Sequence, residues 1–361
     1  MSVSESVLAV FPLPSLLAPL SAGIDISSGS VKCLLLAGSG PHTTLKTSCE
    51  NPLSRGVMAE GEIEDKEKIV EILRSIRLRN GVRHVHACLP EKKAYLYQVL
   101  VPGKEGDLRA GVEYDFETHV PLPPGEALFD YEIVRRVEAG TIVSVTAYAK
   151  RIVTMYQEVY AAAGIELQSL EVESQSLTRA VVGKEDKKNT VMVIDFGRKT
   201  TRIAVAEYGV VSFTATVDIG GDALTSAVMK HFNVPEPEAE NIKNDRGFLM
   251  NKDNKNLVEA LMTTVSVVRD EVSKHISYWN SPPEGDITHQ PISKIIVCGG
   301  NANLRGFPEY LEGEVGIPVS VANVWTNVFS LDRYVPPMQF TESLEYATTI
   351  GLALRGQAHS V

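Results

Sequence analysis

The chain has 361 residues, 44% of them hydrophobic, enough to bury a large core and to divide into two lobes. A formal net charge of −10 leaves no domain-wide positive field to attract phosphates, which excludes nucleic acid as a partner class. Cys33, Cys49, Cys88 and Cys298 fall in or beside apolar runs, without the spacing of a disulfide framework or zinc clamp, which fits a reducing compartment.

Residues 1–20 read as an N-terminal segment with Pro12, Pro14 and Pro19. No Lys or Arg precedes Lys32, so the charged start of a secretory signal is not expected. No later window approaches the roughly 20 apolar residues of a membrane helix. Ile24 to Leu36 predicts two strand halves around the polar turn Ser27-Ser28-Gly29-Ser30. Ile69, Ile72, Leu73 and Ile76 recur at helical spacing within Ile63 to Arg79. Strands follow at Val85 to Leu89 and Ala94 to Val101, then a helix bearing Leu108, Val112 and Phe116, then Pro121-Leu122-Pro123-Pro124-Gly125. Two more strands, Phe129 to Val137 and Thr141 to Tyr148, lead into a helix at Val153 to Ala163, together suiting a small inserted subdomain. A helix at Glu171 to Val182 is expected to return to the first lobe, before the polar break Gly183 to Asn189.

Beyond that break, strand Val211 to Val217 leads to Ile219-Gly220-Gly221-Asp222 and a helix with Leu224, Val228 and Phe232. Pro235 and Pro237 punctuate a helix at Glu238 to Lys243. Leu257, Leu261, Val265, Val268, Val272 and Ile276 predict a long amphipathic helix over Asn256 to Asn280 that stops before Pro282. Strand Lys294 to Cys298 runs into Gly299-Gly300-Asn301, and a closing helix at Ser343 to Ala353 is expected to complete the second lobe. The resulting division is 21–84 with 165–183 as first-lobe core, 85–164 as insert, 190–237 with 291–356 as second-lobe core, and 238–290 as a helical subdomain.

One segment occurs twice. Gly23 to Leu36 is echoed by Val193 to Ala206 at a shift of 170 residues, aligning Asp25 with Asp195 and Lys32 with Arg202. A Ser/Gly-rich turn can point successive amides inward as a nest for phosphate oxygens, with Ser28 and Ser30 adding hydroxyls and Lys32 a point charge. Asp25 and Asp195 end buried strands, where a carboxylate suits the water shell of Mg²⁺. Either turn alone reads more readily as an ordinary hairpin with a capping Asp; the duplication reverses that preference, in favour of paired turns gripping a nucleotide. Gly299-Gly300-Asn301 either lies under a flat ligand or is a structural turn. Glu240 and Lys243 share a helix face, reaching ribose and adenine or forming an exposed pair worth about 0.3 kcal/mol. His84, His86 and Cys88 alternate on one strand face, a conceivable metal set lacking a fourth ligand. There is no P-loop motif.

The two Asp turns, the Gly-Gly turn and the helix bearing Glu240 and Lys243 follow the order of the phosphate and adenosine motifs of the actin-like ATPase superfamily, which includes FtsA and MreB. Val112 to Glu117 followed by Val120-Pro121-Leu122-Pro123, together with Ile219 to Thr225, Ala239 to Lys243 and Gly351 to Gly356, resembles the PilM family of type IV pilus assembly. The resemblance spans about Leu16 to Gly356. It implies an α/β, two-lobed actin-like ATPase fold built from duplicated ribonuclease H-like domains, with an FtsA/PilM-type inserted subdomain.

It further implies a cleft binding ATP and Mg²⁺. Ser27, Ser28, Gly29, Ser30 and Lys32 would act from one side, Gly197, Lys199, Thr200 and Thr201 from the other, with Gly220, Gly221, Glu240, Lys243, Gly299, Gly300 and Asn301 around the nucleoside. Mg²⁺ would be held through water by Asp25 and Asp195. Glu173 or Gln175 is the candidate for orienting an attacking water, with slow turnover at best. The implied protein is cytoplasmic, recruited to the inner membrane by binding the N-terminal cytoplasmic tail of PilN, with other pilus inner-membrane and motor proteins as further partners and self-association left open. A filament-forming FtsA-class protein is the alternative, set back by the expected lack of a C-terminal amphipathic helix. A sugar kinase on the same fold lacks a recognisable substrate pocket in the insert.

Overall fold

The computed structural model describes residues 20–38, 40–103, 107–249, 251–282 and 287–358, so the N-terminal segment 1–20 lies, Leu20 apart, outside the described residues. The chain opens as an antiparallel meander of β1 (Ser21–Ile26), β2 (Ser30–Ala37) and β3 (Thr44–Pro52). β1 is buried throughout, as its apolar run requires for a strand covered on both faces. A small hairpin, β4 (Met58–Ala59) and β5 (Glu62–Ile63), precedes α1 (Lys66–Asn80). Asp65 caps α1 by accepting the Lys68 amide at 2.9 Å, and the expected stripe Ile69, Ile72, Leu73 and Ile76 is its buried face. β6 (His84–Leu89) then pairs parallel with β1.

β7 (Tyr95–Pro102), α2 (Leu108–His119), β8 (Ala127–Val137) and β9 (Gly140–Ala149) form a separate antiparallel sheet in the order β7-β9-β8 with one covering helix. Val101, Val112, Val143 and Val145 make its own small core. The insert is therefore narrower than 85–164. β6 belongs to the first sheet, and α3 (Lys150–Ala163) buries Ile152, Tyr156, Val159 and Tyr160 in the core it shares with α1. β10 (Glu166–Val172) completes the first sheet, parallel to β6, in the order β10-β6-β1-β2-β3.

After α4 (Glu173–Val181) the pattern repeats. β11 (Thr190–Phe196), β12 (Thr201–Glu207) and β13 (Val210–Val217) form a second meander. Then come α5 (Gly221–Phe232), α6 (Glu236–Arg246) and α7 (Lys255–Asn280), followed by β14 (Ile292–Cys298), α8 (Phe307–Val315) and β15 (Val319–Val321). The order β13-β12-β11-β14-β15 reproduces the first sheet strand for strand, including its antiparallel and parallel pairings. α7 presents Leu257, Leu261, Val265, Val268 and Val272 to the second core, as their spacing predicts.

α9 (Phe340–Ser343) leads to α10 (Ala347–Ala358), and here the structure corrects the expectation that the closing helix completes the second lobe. α10 lies on the first sheet, against β1 and across α4. Missing side chains permit this: a Cβ on Gly23 would fall 2.1 Å from the Thr349 carbonyl, and one on Gly351 1.7 Å from that of Ser176. Buried Glu171 of β10 then accepts from both Arg179 of α4 and Arg355 of α10. The insert also docks on the second lobe, where the Ser144 hydroxyl donates to the Val211 carbonyl at 2.6 Å. Among the described residues no helix is long and apolar enough to cross a membrane.

Candidate functional site

Residues 27–29 join β1 to β2, and residues 197–200 join β11 to β12. In both turns the first amide donates to the carbonyl three residues on: Ser27 to Ser30 and Gly197 to Thr200, each at 3.0 Å. Asp25 faces Lys32 across its ladder as Asp195 faces Arg202. The turns meet at one cleft of about 770 Å³, within the roughly 300–1,000 Å³ of small-molecule pockets. Lys199 bridges them, its Nζ donating to the Ser28 carbonyl at 3.1 Å. Every residue expected to hold the nucleotide, its Mg²⁺ or the attacking water lines this cleft except Thr201, Gly220 and Gln175.

Those three face elsewhere for local reasons. The Thr201 hydroxyl donates to the Ile219 carbonyl at 2.7 Å. Gly220 sits behind the second turn, where a Cβ would meet the Arg198 carbonyl at 2.5 Å. Gln175 is turned toward the insert, its amide nitrogen donating to Glu132 at 3.2 Å.

The cleft floor holds charge. Arg202 donates through Nε and Nη2 to Asp195 and through Nη1 to Glu173, joining β12 to α4. Burial pushes the Glu173 carboxyl up to about 8; Arg202 opposes this, while Asp25, Glu91 and Asp195 add to it. One guanidinium shared among so many acids leaves a proton in the cluster near neutrality. Cys88 donates its thiol to Asp25 Oδ1 at 3.0 Å, and burial, with Asp25 and Glu173 beside it, raises its pKa well above the usual thiol value. Cys88 thus clusters with Asp25 and Glu173, their ligand atoms within 4.8 Å of one another. His86 instead contacts Ser169 and His84 pairs with Glu166, so the three alternating residues do not converge.

Several side chains meet partners rather than open space. Lys32 donates to the Glu345 carbonyl and carboxylate at 3.1 and 3.3 Å, which draws it away from the first turn. Lys243 is buried and donates to Thr225 at 3.0 Å, with Glu240 at 3.8 Å; burial lowers its pKa. Asn301 donates to the carbonyls of Phe196 and Gly197 at 3.2 and 2.8 Å, bracing the second turn from behind. Gly299, at φ 84°, lets the backbone pass Asp195, since a Cβ there would lie 2.3 Å from Oδ1. Ser27 folds its hydroxyl into its own turn, accepting the Gly29 and Ser30 amides at 3.4 and 3.3 Å. Two amides converging on one oxygen is the arrangement a phosphate oxygen requires.

Ten carboxylates line the cleft against six basic groups, so a bound polyphosphate needs an accompanying cation. Among the described residues Lys199 is the lining base without a carboxylate partner: Lys32, Lys92, Arg198, Arg202 and Lys243 each have one. Sequence reasoning passed over Arg202, although the repeat put it in register with Lys32, and over Glu91. Glu91 is buried and accepts from the Ser174 amide and hydroxyl, both at 3.0 Å, an acid at the N-terminus of α4.

Two like sheets with matched Asp turns facing across a cleft define an actin-like, two-lobed protein. The chain belongs to the type IV pilus assembly protein PilM family, whose model matches residues 23–357. Its fold is similar to a chain of a PilM–PilN type IV pilus biogenesis complex, with a TM-score of 0.75 over 94% of this chain and 99% of that one at 20% identity. It is also similar to MreB5 of Spiroplasma citri bound to ADP, with a TM-score of 0.56 over 94% and 97% at 15% identity. In sequence it is 26% identical over 228 residues to the cell division protein FtsA of Escherichia coli (strain K12), covering 63% of this chain and 46% of FtsA. The chain thus spans about half the length of that relative.

Proposed function

We propose that this chain is a cytoplasmic ATP-binding scaffold of type IV pilus assembly, holding Mg-ATP between its two Asp turns. We further propose that it binds the N-terminal tail of PilN at the inner membrane and couples nucleotide state to that machine. Family membership supports the setting. The observation that carries the nucleotide reading is the matched pair of turns, in register and facing each other across one cleft.

The donor set fits the ligand. The Gly29 and Ser30 amides would face phosphate once Ser27 turns aside, and unpaired Lys199 would approach it from the other lobe. Asp25 and Asp195 would hold Mg²⁺ through its waters, the ion neutralising charge on the phosphates. Both lobes touch the same ligand, so its binding favours closure by its differential affinity for closed and open forms. Glu173 is the residue positioned to orient a water, but Arg202 occupies one of its oxygens and burial favours its protonated form. A carboxyl so held is a poor base, so turnover is slow and occupancy serves as the signal.

Calorimetry with Mg-ATP tests the cleft. Asp25→Asn and Lys199→Ala should each weaken binding by at least about tenfold, or about 1.4 kcal/mol. Wild-type affinity in both variants would defeat the assignment. For the partner, a synthetic peptide of the PilN tail should bind the full chain, with an affinity that changes on adding nucleotide. No binding, together with ATP-dependent filaments in the electron microscope, would favour the FtsA-class alternative.

A further inference from the structure

Cys33 on β2 and Cys49 on β3 stand directly opposite each other in the antiparallel register. In such a pair the Cα atoms lie roughly 4.5–5.5 Å apart, inside the roughly 4.4–6.8 Å that a disulfide bridges. Directly opposed in the ladder, the two side chains stand on the same face of the sheet, and each thiol's pKa responds first to the other. Cys33 is fully buried and Cys49 only partly, so a small oxidant has access to one sulfur while the other waits behind it.

Two carboxamides close on the accessible sulfur. Asn80, the last residue of α1, points its Nδ2 at Cys49 Sγ from 3.3 Å, and Asn51 from 4.0 Å. Donors aimed at sulfur favour the thiolate, the nucleophilic form. The Cys49 thiol is lowered to about 7, first by Cys33, with burial opposing and the two asparagines assisting. Cys33 is pushed up by Cys49 and by burial. The other two thiols, Cys88 and Cys298, are buried and held protonated chiefly by that burial.

We propose that Cys33 and Cys49 form a reversible dithiol–disulfide switch in the first lobe, with hydrogen peroxide as the oxidant. The Cys49 thiolate attacks one peroxide oxygen; the S–O bond forms, the O–O bond breaks and hydroxide leaves. Cys33 then attacks the Cys49 sulfenic sulfur. The S–S bond forms, the S–O bond breaks, and the departing hydroxides carry off both thiol protons as two waters. Sulfur loses two electrons and the peroxide gains them. The bond would fasten β3 to β2 one position from Lys32 and Glu50, which line the cleft.

The test uses the full chain under native conditions. Peroxide treatment, alkylation and peptide mapping should yield a peptide linking Cys33 to Cys49, a loss of two hydrogens in the intact mass, and full reversal by dithiothreitol. Cys88 and Cys298 should alkylate only after denaturation. In Cys33→Ser, Cys49 should stop at the sulfenic acid and be trapped by dimedone. Four alkylatable thiols surviving peroxide, or Cys49 sulfinic acid without the linked peptide, would overturn the proposal. Should the variant not fold, the wild-type peptide map decides alone.

Discussion

Arg202 of β12 donates to Glu173 of α4 and pairs with Asp195 at the end of β11, tying the two lobes together across the cleft floor. A buried pair adds little net stability when intact, but losing one partner strands a charge away from water at a cost of about 3–5 kcal/mol. Arg202→Met should therefore lower the unfolding free energy in urea by about that much. Adding Asp195→Asn should restore part of the loss, giving a positive coupling in the double-mutant cycle. A loss below about 1 kcal/mol would mean that water reaches the pair.

Glu91 sets a second expectation, in pH. Burial raises its carboxyl above the ordinary 4.5, and its bonds from Ser174 and the nearby Arg202 reverse this only in part. A carboxyl that holds its proton more tightly when folded contributes stability that is fully present below 4.5 and is lost as pH rises through its folded value. Wild-type stability, measured by urea unfolding at a series of pH values, should fall over this interval relative to Glu91→Gln. The opposite sign of that difference would contradict a carboxyl that burial holds above its ordinary value.

Legibility followed the reach of each signal. The Asp turns could be read because their chemistry repeats along the chain at a fixed shift, and the structure keeps that shift in the ladder registers. β10 escaped notice because a register break between Leu167 and Ser169 interrupts its alternation. β3 escaped because a half-exposed strand rich in Thr, Lys, Ser and Glu carries no apolar run. Arg202 was visible as an echo of Lys32, but its role depends on Glu173, which lies 29 residues away and meets it only in space. Thr201 and Gln175 carry plausible chemistry at plausible positions, and only the direction of each side chain removes it from the cleft.

The crossing of α10 over α4 gives a contrast between two glycines. Gly351→Ala would drive a methyl to 1.7 Å from the Ser176 carbonyl, where rigid helix backbone cannot yield. The cost should reach at least about 3 kcal/mol, the upper range of overpacking. Gly313, exposed within α8, has nothing within 4 Å of a new Cβ. Gly313→Ala should raise stability by roughly 0.5–1 kcal/mol through helix propensity alone. Thermal unfolding of both variants distinguishes a packing requirement from an ordinary helical glycine.

Arg135 of β8 is one of the contacts that dock the insert on the second lobe: its Nη2 donates to the Thr288 carbonyl at 2.5 Å, and its Nε lies 3.4 Å from a carboxylate oxygen of Glu207, a side chain with 0% exposure. Glu207 also faces His289 Nδ1 at 3.4 Å, and the His289 ring stacks on Trp279 with centroids 3.9 Å apart. Arg135→Ala removes the guanidinium and leaves that acid with the His289 ring and the Gln290 amide. Because Glu207 keeps His289 and the Gln290 amide as partners, the cost should be about 2 kcal/mol rather than the full value for a stranded buried charge. The loss should be local: hydrogen exchange should speed up in β7, β8 and β9 and stay unchanged in β11, in the middle of the second sheet. If the insert sets the geometry of a partner groove, the same variant should also weaken the change in PilN-peptide affinity that nucleotide produces. Unchanged exchange in the insert would show that its remaining contacts with β13, the Ser144 to Val211 bond among them, hold it in place.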